Sequence, residues 1–416
     1  MFGAPPAERR RRGDLAAGAL LAVAAIIGAA VVSTSGSAAA TTSVVAESPI
    51  LPPPAAVAAP QALEEIWRVS SSTDKPVLAG PAVVTADGST ISGRDALTGE
   101  ERWSYSRDTP LCDVASGFPM VRNESDPGRA LALFADGPLD DAGTWCSELM
   151  MLSGSTGERV EGRHVDARPG AQLLSDDLYV LTTGRDHLEA WRFDLVRTVE
   201  YGVVPAPEQN GQQPRTGCTY GSFSLGGRRT AVIEQCPGEA TSRLTALTTD
   251  GDLGSEVPDV RYSLLLPDAR ATIIAITENR VAVALPGRMI VLDGSGTQIA
   301  VTEMQEDMGV LPAGVARTIT DNRFLFWFTG SSVVALDAIE LAPLWTFPGA
   351  LGPPVRFGVD LLVPVRDGFQ ELTDRGEPGR LIPVVRADPD ALVLPDVLGD
   401  VVLEQRGAEL VALRPV

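Results

Sequence analysis

Four cysteines and two histidines are the side chains with the most chemistry to offer in this sequence. Cys112, Cys146, Cys218 and Cys236 contain no Cys-x-x-Cys spacing, so the usual tetrahedral zinc site is not indicated. Four cysteines allow three disulfide pairings, with free buried thiols as the alternative. His164 and His187 are not spaced as a ligand pair, which argues against a His-based metal site or a Ser-His-Asp triad. No G-x-S-x-G stretch supplies a nucleophile elbow. Asp250-Gly251-Asp252 is too short to match a calcium loop, and Asn123-Glu124-Ser125 reads as a turn rather than a glycosylation site. The expectation is a protein with no catalytic centre, no cofactor and no metal.

Binding is what remains, and two loops are the candidates for it. One carries Asp136, Asp140, Asp141 and Trp145; the other runs from Pro205 to Arg215 and contains Glu208. An ordinary solvated loop is the competing reading of both. The partner is not a nucleic acid, because a formal charge of -20 would repel phosphates. The acidic residues are dispersed, as on a solvated surface.

The N-terminus reads as an address. Arg9 to Arg12 form a basic cluster, and Leu15 to Val32 carry no charge. As a helix that stretch covers roughly 27 Å, enough for the hydrocarbon core of a bilayer. Arginines stay cytoplasmic under the positive-inside rule, which sends the remainder outward. An uncleaved anchor fits the length of the run; Ala38-Ala39-Ala40 offers a cleaved signal peptide as the alternative. The expected layout is a basic tail over 1–13, a transmembrane helix over 14–33 and an Ala/Pro/Ser-rich spacer over 34–62. A β domain would then fill 63–416.

Only one lysine, Lys75, occurs, while 41 glycines and 32 prolines suit many short strands joined by turns. A repeat organises them. Asp95-Ala96-Leu97-Thr98-Gly99-Glu100, followed by Trp103, reads as a strand, a tight turn and a second strand with an outward aromatic. Ser153 to Glu158 repeats it, and Asp337 with Trp345 matches again at the same offset. Weaker markers fall at Asp194, Thr248, Asp293, Thr373 and Arg414, giving steps of about 36–58 residues against about 40–50 for a four-stranded propeller blade. The last marker has almost nothing after it, whereas Leu63 to Ser70 resembles an outer strand with no blade before it. Pairing the two closes a ring and removes exposed edges. The fold class is therefore an all-β, eight-bladed β-propeller, with seven blades as the runner-up.

The two longest units contain Cys112 with Cys146 and Cys218 with Cys236. Each pair falls inside one insertion-bearing blade, so Cys112–Cys146 and Cys218–Cys236 are the expected disulfides. Such bonds persist outside the cytoplasm.

The units Asp95–Trp103, Ser153–Glu158 and Asp337–Trp345 resemble the pyrroloquinoline-quinone-like propeller repeat. The whole layout, with Arg107–Cys112 and Trp191–Thr198, also resembles an uncharacterised family of alanine- and valine-rich exported proteins of mycolate-making actinobacteria. The first resemblance implies a propeller and the second an envelope location. The expected function is a membrane-anchored, extracytoplasmic binding or assembly scaffold for an unknown envelope protein or cell-wall component. A quinone-dependent dehydrogenase is the alternative, but enzymes of that family carry adjacent cysteines and this chain has none.

Overall fold

The computed structural model describes residues 17–23, 41–118, 128–141, 143–207, 209–251, 257–305, 314–321 and 323–416. Residues 17–23 are helical and exposed. Among the described residues no helix is long and apolar enough to cross a membrane. Arg9–Arg12, the rest of the expected span, Asn123–Ser125, Glu208 and Asp252 lie outside the described residues.

The described chain forms eight sheets; seven contain a four-stranded antiparallel meander in chain order, two of these with a fifth edge strand, and the eighth takes its outer strand from the start of the domain. Blade 1 is built from Val77–Ala79, Ala82–Asp87, Thr90–Asp95 and Glu101–Arg107, and blade 2 from Leu111–Gly117, Arg129–Phe134, Cys146–Ser153 and Arg159–Ala167. Blades 3 to 7 follow the same plan. Second strands such as Phe324–Phe328 are buried at every position, because each sheet is sandwiched between its two neighbours. Outermost strands such as Gln298–Glu303 face solvent. The markers read from sequence fall within two residues of the ends of the third strands.

The eighth blade confirms the closure. Leu394–Leu398, Val401–Arg406 and Glu409–Pro415 take Leu63–Ser70 as their outer strand, with Leu63 opposite Pro415 and Ser70 opposite Glu409.

Two expectations need correction. Trp103 does not point outward; it is fully buried between blades 1 and 2, and its Nε1 donates to Gly154 O at 2.9 Å. The reason is the turn of the next blade. Gly157 there has φ +75°, and a Cβ at that position would sit 2.6 Å from the Trp103 side chain. Trp67 reaches Ala96 O on blade 1 in the same way, and Trp345 reaches Asp374 O on blade 7.

The second correction concerns the spacer. Its described part, 41–62, is extended as expected, but it is bound to the propeller. Thr41–Val44 adds a fifth strand outside Glu101–Arg107. Ala46 and Ile50 donate backbone hydrogen bonds to Thr156 O and Ser155 O, and both side chains join the core. Ala59 N then donates to Asp360 Oδ2 on blade 7 at 2.7 Å. Small Ala and Pro side chains let the backbone lie this close to the blade turns.

Candidate functional site

A meander puts its turns alternately on two faces. The marker turns and the 41–62 strap share one face. The loops after second strands and those between blades share the other, and both candidate loops are on it. The first, 135–145, links the second and third strands of blade 2. The second leads from Arg197–Gly202 of blade 3 to Thr219–Gly226 of blade 4.

Both disulfides form as expected and sit at the roots of these loops. Cys112–Cys146 joins the first and third strands of blade 2, and Cys218–Cys236 ties the second loop to blade 4. Among the described residues no cysteine is free. The remaining candidates mostly shape the loops. Asp136 Oδ1 accepts Trp145 N at 2.8 Å, and Asp141 Oδ1 accepts Gly143 N at 2.9 Å. The Trp145 ring carries the Arg168 guanidinium 3.5 Å from its centroid. Asp140 is exposed.

Arg215 turns inward. Its guanidinium donates to Tyr201 Oη at 2.9 Å, Thr245 Oγ1 at 2.9 Å, Ser263 Oγ at 3.0 Å and Glu234 Oε2 at 3.2 Å. Glu234 is fully buried, so Arg215 is the cation that makes its charge tolerable. Burial, then the Glu234 charge, pushes the Tyr201 hydroxyl pKa far up. Arg215 is therefore the anchor of its loop rather than a free binding group. Beside that root lies a cavity of about 350 Å³ lined by Gly217, Thr219, Cys236, Glu239, Thr241 and Ser242.

Sequence reasoning missed two groups. The first is His187, Glu189 and Glu200, all buried in the joint between blades 2 and 3, each offering a donor atom within 4.8 Å of the others. His187 and Glu189 alternate along one strand, so both face blade 2 (period two). That polar alternation in a strand buried at nearly every position was the available signal. His187 Nδ1 donates to Asp166 O at 3.0 Å, and Glu189 Oε2 accepts Asp166 N at 2.9 Å. Arg197 Nη1 lies 3.0 Å from an oxygen of each glutamate. Burial opposes the charged imidazolium of His187, but the Glu200 and Glu189 carboxylates outweigh it and its pKa is raised. Burial raises Glu189 against its cationic neighbours.

The second group lies on innermost strands. Burial raises Asp113 of blade 2 and Asp396 of blade 8 to about 6, although Asp113 accepts the N–H groups of Val114 and Leu173 and Asp396 that of Val397. The lone lysine, Lys75, partly offsets this for both. Gly314–Val315 pairs in parallel with Ser222 and Phe223, on the inner edge of blade 4. The axial side of that blade is thus lined by the chain itself.

No protein-family model and no curated protein matches the chain. Solved structures do. The chain is similar to BamB from Moraxella catarrhalis, at 15% identity and TM-score 0.49, covering 85% of this chain and 100% of that one. It is similar to the computationally designed Ika8 protein at 11% identity and TM-score 0.52, again covering 85% and 100%. Dihydro-heme d1 dehydrogenase NirN in complex with DHE follows at 13% identity and TM-score 0.48, covering 83% and 78%. At such identities the likeness concerns the fold alone: the chain is an eight-bladed β-propeller.

Proposed function

We propose that the protein is a membrane-anchored, extracytoplasmic scaffold that holds an envelope protein or cell-wall component on the face bearing the stapled loops. The observation that carries this reading is the convergence of both disulfides and both inserted loops on one face, over blades 2 to 4. Loops positioned by a rigid frame are where binding residues concentrate. Two intact disulfides favour an oxidising compartment.

The strap adds an orientation. Thr41 pairs with Arg107, at the loop-face end of its strand, so the described strap begins at that face. Eight residues separate Val32 from Thr41, and fully extended they span at most about 28 Å. An anchor ending at Val32 would therefore hold the loop face close to the bilayer. The favoured partner is one that sits at the membrane surface.

A photocrosslinker at Asp140, on the loop face, compared with one at Ile339, on the marker-turn face, tests this in the intact cell. Crosslinks to one defined neighbour from Asp140 alone are expected. Equal labelling from both faces would remove the face assignment, and a mature chain beginning at Thr41 would remove the anchor. The quinone-dependent alternative is less favoured, since the bonded cysteines are 34 and 18 residues apart rather than adjacent. A quinone absorbance retained by the purified protein would restore it.

A further inference from the structure

We propose that His187, Glu189 and Glu200 bind a divalent transition-metal ion of the zinc type in the joint between blades 2 and 3.

The donor atoms lie within 4.8 Å of one another, inside a joint where the three residues are 1–7% exposed. Asp166 O can only accept, so the Nδ1 of His187 carries the proton in that contact and Nε2 is turned toward the carboxylates. A histidine held by its other nitrogen on a backbone carbonyl is the usual posture of a metal ligand. Nε2 lies 3.5 Å from Glu200 Oε1. That is long for a hydrogen bond and close to the roughly 3.3 Å edge of a tetrahedron built on bonds of about 2.0 Å.

Two atoms point to a missing partner independently of this spacing. His187 Nε2 and Glu200 Oε2 are both buried and neither has a hydrogen-bond partner. Such orphans are rare in folded proteins and call for an explanation. Arg197 does not supply one. Its Nη1 engages an oxygen of each glutamate from a side chain that is 36% exposed, leaving the two orphans unserved. A divalent ion held by the neutral imidazole and the carboxylates would answer both orphans. One imidazole and two carboxylates suit zinc, cobalt or manganese better than magnesium or calcium, which prefer oxygen alone.

The backbone of Asp166, gripped at both its N–H and its C=O, belongs to blade 2, whereas all three donors belong to blade 3. A bound ion would rigidify the side chains that hold Asp166 and so tighten the joint beneath the inserted loops. The other charged groups nearby are the Asp166 carboxylate and the exposed His164, 3.6 Å apart on the blade 2 side.

The test uses the full chain, stripped with a chelator and kept without reductant, so that Cys218 and Cys236 offer no thiolate. Cobalt(II) is titrated and its visible absorbance read, and zinc is titrated against the thermal midpoint. One equivalent of cobalt with a tetrahedral-type spectrum, and a midpoint raised by zinc, are expected. H187Q and E200Q should each weaken binding at least tenfold, and H164Q should leave it unchanged. Absence of a cobalt spectrum, binding that survives in E200Q, or binding lost in H164Q would overturn the site. If H187Q does not fold, E200Q, which keeps the shape of the side chain, decides alone.

Discussion

Two kinds of joint in this ring can be compared, and they differ in what they ask of the sequence. At the joints of blade 8 with 1, 1 with 2, and 6 with 7, a tryptophan on an outer strand donates to a carbonyl in the next blade's turn. Around blade 3 the arrangement is different. Blade 2 meets it through His187, Glu189, Glu200 and Arg197, and blade 4 meets it through Tyr201, Glu234 and Arg215. The tryptophan joints need only shape and one hydrogen bond. The charged joints need every partner present, since a buried ion left alone costs far more than a lost contact. The inserted loops, the disulfides and the unserved polar atoms of His187 and Glu200 all gather at the charged joints.

The contrast can be broken at either end. Trp103→Ala should cost about 3–5 kcal/mol in urea unfolding, by cavity formation and loss of the bond to Gly154. Replacing both Cys112 and Cys146 by Ser should cost about 4 kcal/mol in the chain-entropy picture, given their separation of 34 residues. Arg215→Ala should cost about 3 kcal/mol by stranding Glu234, the low end for a buried pair because Arg215 is partly exposed. A loss below about 1 kcal/mol there would dissolve the distinction between the joints.

The last expected effect is a pH dependence. Asp113 and Asp396 titrate near 6 in the folded chain, above the ordinary 3.8, because burial favours the neutral acid. The native state then holds more protons than the unfolded state between about pH 4 and 6. This contribution to stability is complete below about 4 and is lost as pH rises to about 6. Urea midpoints at pH 4 and 6.5 should show the decline, and D396N should shrink it while leaving the tryptophan joints untouched.

The ring was legible from residues because its device repeats. Thr98-Gly99 and Thr156-Gly157 mark turns that need a positive φ, and the tryptophan eight residues after Asp95 and Asp337 marks the outer strand. Closure was legible because Leu63–Ser70 and Glu409–Pro415 are each incomplete alone. The burial of Trp103 was missed because a lone aromatic in a polar-looking strand does not announce that a neighbouring blade covers it. The docking of 41–62 was missed for the opposite reason: apart from Ile50 its buried side chains are small, and its hydrogen bonds come from backbone groups that no side-chain pattern reveals. His187 escaped because its partners come from another strand and from a backbone carbonyl on another blade. Only the fold makes these neighbours.

Leu63 meets Pro415 in the last sheet, so the first strand of the ring is made roughly 350 residues before its mate. At about 5–20 residues per second that is a wait of roughly 20–70 s on the ribosome. No intermediate length of chain can complete the circle. Without Glu409–Pro415 the strand Leu63–Ser70 has no mate, so the ring is closed by its two most distant segments.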